Sequence, residues 1–221
     1  MNDLIPRMSS QLKTLRMSGL LGTLDVRTKQ AVEQQLSYTE FLALILQDEY
    51  ERRESKKLTQ RFRRANFRGE KTLDSFKFET ANLKLNKSLV FELSTCNFIE
   101  EKSNVLIVGP TGVGKSHIAK ALGHNACRKG YDVYCTSAGK LLKQMRASRA
   151  DGAYDRKVQN LSRYDLLIID DLGLKPFRPP EDEDFHDIVC ERYEKGSLIV
   201  TSNLDFEEWG NIFPNKILAS A

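Results

Sequence analysis

Gly109-Pro110-Thr111-Gly112-Val113-Gly114-Lys115-Ser116 lies between an apolar run, Val105-Leu106-Ile107-Val108, and a stretch of helical pattern, Ile118-Ala119-Lys120-Ala121-Leu122. Strand, glycine-rich turn and helix in that order read as a P-loop. Glycines let successive backbone N–H groups converge on one phosphate, and the following helix adds its positive N-terminal end. Lys115 is placed to reach the β- and γ-phosphates, and the Ser116 hydroxyl to join a Mg²⁺ shell. A bare match to this pattern also arises as an ordinary Gly-rich turn; the strand before and the helix after argue against that here.

The chain has 221 residues, 40% hydrophobic and 29% charged, which describes a globular protein with a real core. No run approaches the roughly 18 apolar residues of a membrane span, and the N-terminus lacks the apolar stretch of a secretory signal, so a cytoplasmic location without membrane contact is expected. Cys96, Cys127, Cys135 and Cys190 are scattered, as are His117, His124 and His186, with no zinc spacing; buried free thiols are expected. The net charge of +4 is uneven: residues 52–71 hold nine basic side chains against Glu54 and Glu70. Such a block suggests a polyanion partner.

Along the chain, residues 3–66 read as helix with breaks. Leu4, Met8, Leu12 and Leu15 share a face, and Gly19 and Gly22 are expected to interrupt it. A second helix is expected over Leu24–Leu36. Ser37-Tyr38-Thr39-Glu40 has the form of a capping box opening a third, whose Phe41, Leu42, Leu44, Ile45 and Leu46 are expected to be buried. The stretch Arg61-Phe62-Arg63-Arg64-Ala65-Asn66-Phe67-Arg68 has two readings. One is a solvated basic helix end; the other is a phosphate contact through Arg61, Arg63 and Arg64 with Phe62 and Phe67 packing or stacking on bases. The domains expected are 1–68 (helical), 69–80 (linker) and 81–221, where strands and helices alternate as in a parallel sheet with helices on both faces.

Within that last region, Lys140, Lys143, Arg146 and Arg149 recur every three residues on one helical stripe, either a solvated face or a nucleic-acid surface. Leu166-Leu167-Ile168-Ile169-Asp170-Asp171 is an apolar strand ending in two carboxylates, about where a P-loop fold carries its Mg²⁺ ligand. Asp170 would hold the ion, directly or through water, and Asp171 would act on an attacking water as a general base or polarising group. The acidic run Glu181-Asp182-Glu183-Asp184 fits the charge preference of a helix start. Ser197-Leu198-Ile199-Val200-Thr201-Ser202-Asn203 is a further strand, with Asn203 either a turn former or a group that hydrogen-bonds the γ-phosphate and orients water.

This order of motifs resembles the AAA+ class of P-loop ATPases. It is similar, more narrowly, to the IstB-like transposition helpers, relatives of the DnaC helicase loader. The carrying residues are Gly109 to Ser116 with His117, Leu166-Leu167-Ile168-Ile169-Asp170-Asp171-Leu172-Gly173, Thr201-Ser202-Asn203-Leu204, Arg61-Phe62-Arg63-Arg64-Ala65-Asn66-Phe67, Lys71-Thr72-Leu73 and Phe76-Lys77-Phe78. The resemblance implies ATP and Mg²⁺ as cofactors, held by Gly109, Pro110, Thr111, Gly112, Val113, Gly114, Lys115, Ser116 and His117, with the metal on Ser116 and Asp170. It implies ATP-dependent self-assembly on double-stranded DNA and a transposase as partner, with Lys115, Asp171 and Asn203 as catalytic groups. The stripe from Lys140 to Arg149 would then face phosphates.

Two departures stand out. The AAA+ pattern carries Glu where this chain has Asp171, and it places a further strand and an arginine finger after the Asn strand. Here eighteen residues follow Asn203 and none is arginine. The expectation is a C-terminally truncated chain that binds ATP and hydrolyses it slowly, with Arg192 as the one nearby substitute. Other readings are a helicase loader, a non-catalytic remnant and a small-molecule kinase.

Overall fold

A computed structural model describes residues 4–78 and 85–215. The chain divides into two compact units, Met1–Gln60 and Arg61–Ala221, so residues 61–68 belong with the second unit rather than with the helical first. The expected start of the ATPase core at 81 lies outside the described residues.

In the first unit α1 (Leu4–Thr14) and α2 (Ser18–Glu33) precede α3 (Tyr38–Ala65), whose last residues belong to the second unit. The break between α1 and α2 falls at Leu15–Met17, with Arg16 in the left-handed region, and both glycines lie inside α2. Gly19 is there for proximity: a Cβ on it would stand 2.8 Å from Glu49 Oε2 and 3.0 Å from Glu49 Cα. That closeness lets the Glu49 carboxylate accept the N–H groups of Gly19 (2.7 Å) and Leu20 (3.3 Å), two of the donors that a helix N-terminus leaves unpaired. Arg27 clamps Asp48 through two bonds of 2.9 and 2.6 Å. The Ser37–Glu40 capping box forms as expected, with Ser37 N–H donating to Glu40 Oε2 at 2.8 Å and Glu40 N–H to Ser37 Oγ at 3.3 Å. The apolar run behind it is not buried: Leu42 and Leu46 are about half exposed. Hydrogen bonds from α2 reach α3 at Asp48 and Glu49, whereas a run apolar all round needs cover on every side.

Among the described residues the second unit carries four parallel strands in the order β1-β4-β3-β2, namely β1 (Val105–Val108), β2 (Val133–Ser137), β3 (Leu166–Leu172) and β4 (Ser197–Ser202). Strand β3 sorts its side chains by the two-residue period. Leu166 and Ile168 join Val133, Cys135 and Ile199 in one core, and Leu167 and Ile169 join Leu198 and Val200 in another on the opposite face. The first core is closed by α4 (Lys87–Ser94), α5 (Asn97–Glu100) and α6 (Lys115–Lys129), the second by α7 (Ala138–Ala150), α8 (Tyr154–Ser162) and α9 (Glu181–Arg192). This is the doubly covered parallel sheet that the sequence implies. The helix expected over Leu85–Phe98 is instead two, broken at Cys96 with φ of 63°.

Side chains of the basic stretch take the packing role. Ala65 is fully buried, and Phe62 and Phe67 lie against the buried His124 ring at 5.2 and 4.2 Å. Asn66 Nδ2 donates to the Cys135 carbonyl at 3.1 Å, and Arg64 pairs with Asp132 at 3.1 Å. Three of the four free thiols are buried; Cys190 is exposed, against the expectation. Arg192 is 1% exposed, its guanidinium donating to the carbonyls of Leu161 (2.6 Å) and Ser197 (2.8 Å). It braces the junction of α8, α9 and β4, so it cannot act as an arginine finger. Among the described residues no helix is long and apolar enough to cross a membrane.

Candidate nucleotide site

The glycine-rich turn joins β1 to α6 at the carboxyl end of the sheet, the edge where open α/β sheets bind ligands. Gly112 and Gly114 take φ of 87° and 94°, a region that side chains resist, and Gly114 caps α6. Such conformations let successive N–H groups of a turn converge on an anion. Lys115 is buried and folded back over its own loop, its Nζ donating to the carbonyls of Gly109 (2.7 Å) and Pro110 (2.9 Å) and to Asn203 Oδ1 (2.6 Å). The last bond joins two expected catalytic groups far apart in sequence. Gly109 N–H also donates to the Ser202 carbonyl, tying the turn to the end of β4.

The two aspartates depend on an irregularity. Ile169 pairs with Val200 and Leu172 with Ser202, so Asp170 and Asp171 together face the single residue Thr201. This is a β-bulge, with Asp171 at φ of 60°. In a regular strand consecutive side chains point to opposite faces; here both carboxylates line one cavity of about 280 Å³, with Lys120 and Lys140. The Thr201 hydroxyl bridges the pair, accepting from Asp171 N–H at 2.9 Å and donating to Asp170 Oδ1 at 2.6 Å. Lys120 Nζ donates to the other Asp170 oxygen at 2.7 Å. Burial pushes Asp170 upward, but the bonds from Lys120, Thr201 and Ser116 outweigh it and hold the carboxyl below its ordinary range. Ser116, one of the side chains that lower Asp170, sets a hydroxyl near the carboxylate, an all-oxygen donor set that fits Mg²⁺. Neither Lys120 nor Thr201 was among the expected site residues; the i,i+4 spacing of Ser116 and Lys120 on one helix is the signal that could have found Lys120.

The stretch Thr72–Phe76, assigned to the linker, reaches the same turn. His117 Nε2 lies 2.8 Å from the Thr72 carbonyl and 3.2 Å from Ser75 Oγ. The Phe76 ring sits where a side chain on Gly114 would go, with Cε2 2.5 Å from that Cβ position.

The basic stripe on α7 divides. Arg146 pairs with Glu181 at 2.7 Å; Arg149 pairs with Asp184 at 2.7 Å and lies over the Tyr154 ring at 4.1 Å. Lys140 and Lys143 are exposed. Burial and then the charge of Lys140 pull the α8 residue Lys157 below the ordinary lysine range, and its Nζ donates to Gln144 Oε1 at 3.0 Å. Of the other candidates Arg63 is exposed, while Arg61 lies beside Gly130.

The sequence model of the family described as "IstB-like ATP binding protein" matches residues 10–221. The chain belongs to that family. An ATP-binding protein by name, in an insertion sequence of Mycobacterium tuberculosis, is 34% identical over 217 residues, spanning 98% of this chain and 86% of its own. A second so named, of insertion sequence IS21 from Pseudomonas aeruginosa, is 34% identical over 210 residues, 95% of this chain and 79% of its own. Among solved structures, AMPPCP-bound DnaA from Aquifex aeolicus superposes with a TM-score of 0.60 at 23% identity, over 70% of this IstB-like chain and 48% of that one. The DnaC helicase loader gives 0.56 at 22%, over 67% and 89%. The fold of the second unit is thus that of the AAA+ P-loop proteins.

Proposed function

We propose that this IstB-like protein binds ATP with Mg²⁺ at the Gly109–Ser116 turn, hydrolyses it, and serves DNA transposition by assembling on duplex DNA and engaging a transposase. The observation that carries the nucleotide half is the convergence of Lys115, Ser116, Asp170 and Asn203 at one strand edge. The transposition half is supported by relatives named for the insertion sequences that contain them.

In this reading the N–H groups of the turn and the Lys115 ammonium bind the β- and γ-phosphates, and Lys115 exchanges its loop carbonyls for phosphate oxygens. Mg²⁺, when bound to Ser116 and Asp170, supplies positive charge to the phosphate oxygens. Asp171, with no hydrogen-bond partner for its carboxylate among the described residues, accepts a proton from the attacking water or polarises it. Asn203 holds the γ-phosphate and that water in line. On the α7–α8 face, Lys140, Lys143 and Lys157 are the groups offered to DNA phosphates; the charge of Lys140 acts unfavourably on Lys157, and a polyanion would relieve it. Arg146 and Arg149 fix α7 to α9 instead.

Size-exclusion chromatography with a non-hydrolysable ATP analogue and duplex DNA tests the reading. A nucleotide-dependent shift to a larger species, lost in Lys115→Ala, is expected. A monomer indifferent to both ligands would defeat it, and a preference for single strands or a helicase hexamer would move the function toward helicase loading.

A further inference from the structure

Lys120 has no part in the phosphate cradle, yet it makes the closest charged contact of the candidate metal site. It lies one helical turn after Ser116 on α6, and its Nζ stands 2.7 Å from Asp170 Oδ2. The Asp170 side chain is 9% exposed and that of Lys120 22%. With Thr201 donating to the other oxygen, both sides of the carboxylate are engaged.

A carboxylate this buried needs a positive partner, because an uncompensated charge away from water is strongly unfavourable. Within the chain that partner is Lys120. A divalent ion would do the same work, but an ammonium and a Mg²⁺ ion cannot both sit at hydrogen-bond range on one buried oxygen without strong repulsion. The two cations are alternatives. The cavity of about 280 Å³ beside the pair, lined also by Asn66, Thr136 and Ser137, gives the lysine stem somewhere to go.

We propose that Lys120 is a built-in counter-ion for Asp170, which holds the carboxylate in place while no metal is bound and yields it when Mg²⁺ arrives with nucleotide. This rests on the reading of Asp170 as a metal ligand. Lys120 is on this account a positioning residue. It makes the site self-sufficient without metal, so free Mg²⁺ gains little by entering alone, and metal loading is coupled to nucleotide, whose phosphates supply the remaining ligands.

The test is a thermal melt of the full chain against MgCl₂ with no nucleotide present. Wild type and Lys120→Arg should be unmoved by millimolar Mg²⁺. Lys120→Met, which keeps the stem and removes the charge, should melt about 5–10 °C lower in EDTA and recover with Mg²⁺ but not with NaCl of equal ionic strength. The double variant Lys120→Met/Asp170→Asn should not respond to Mg²⁺. A Lys120→Met protein that melts like wild type, or that ignores Mg²⁺, would overturn the proposal. Should that variant fail to fold, acylation of wild-type lysines read by mass spectrometry decides. Lys120 should gain reactivity when Mg²⁺ and a non-hydrolysable ATP analogue are added together, and unchanged labelling would refute its release. If wild type binds no nucleotide, the ATP reading falls, while the nucleotide-free Mg²⁺ titration still judges Lys120.

Discussion

Gly114 is held by two independent constraints, a backbone φ of 94° and the Phe76 ring pressed where its Cβ would be. Gly114→Ala should therefore cost about 2–3 kcal/mol in a denaturant melt, and weaken ATP binding as well, since the turn's N–H groups move with it. Asp170 and Asp171, adjacent in sequence, should separate by phenotype. Asp171→Asn should bind nucleotide near wild-type strength while turnover falls by roughly 10²-fold or more, as for loss of a general base. Asp170→Asn should lose the Mg²⁺ dependence of nucleotide binding. Fluorescent-nucleotide titration with and without EDTA, beside phosphate release, distinguishes them. At this scale the sequence is most readable where the proposed ligand would dictate a residue's type: glycines for N–H convergence, Lys115 and Ser116 for phosphate and metal, Asp170 at the strand end. It is least readable where a residue serves the fold through long-range geometry. Arg192 and the bulge at Asp171 depend on partners some thirty residues away in the chain, and no local pattern encodes them.

Among the elements, strands and caps follow from periodicity and polar signals, while the helix breaks do not. Gly19 and Gly22 look like breakers because intrinsic propensity disfavours glycine in helices. Tertiary contact overrides that, for Gly19 admits Glu49 to the start of α2. Helix α8 escapes the sequence reading because it is short and its apolar contribution to the core is small, Val158 and Leu161. The stripe on α7 is visible as a stripe, but its division is not, because the acids that claim Arg146 and Arg149 come from α9. The expected consequence is two classes of variant. Lys140→Ala/Lys143→Ala should leave the melting curve within about 0.5 kcal/mol of wild type while lowering DNA affinity and flattening its salt dependence. Arg149→Ala should destabilise by about 2 kcal/mol or more, since buried Asp184 loses its partner. Arg192→Ala should do so by about 2–4 kcal/mol, leaving carbonyls of Leu161 and Ser197 unpaired.

For the whole molecule, the two compact units imply that unfolding need not be one transition. The first unit carries a marker of its own. Asp48, clamped by Arg27, has its carboxyl lowered to about 2. A lowered carboxyl stabilises fully above its unfolded value of about 3.9, and that contribution is lost as pH falls toward the folded one. Asp48→Asn should thus flatten the acid limb of a helicity titration between about pH 4 and 2, at a cost near neutrality of about 1 kcal/mol. The strand order has a consequence for how the chain is made. Strand β1, which launches the glycine-rich turn, has β4 as its sheet neighbour, and β4 is synthesised after the other described strands of the sheet. A nascent chain that has reached Gly196 carries the whole turn and both aspartates, yet β1 hangs unpaired beside a sheet it cannot join. Ribosome-bound chains arrested before and after β4 emerges should differ sharply in protease resistance, because the turn gains its anchor only when β4 slots in.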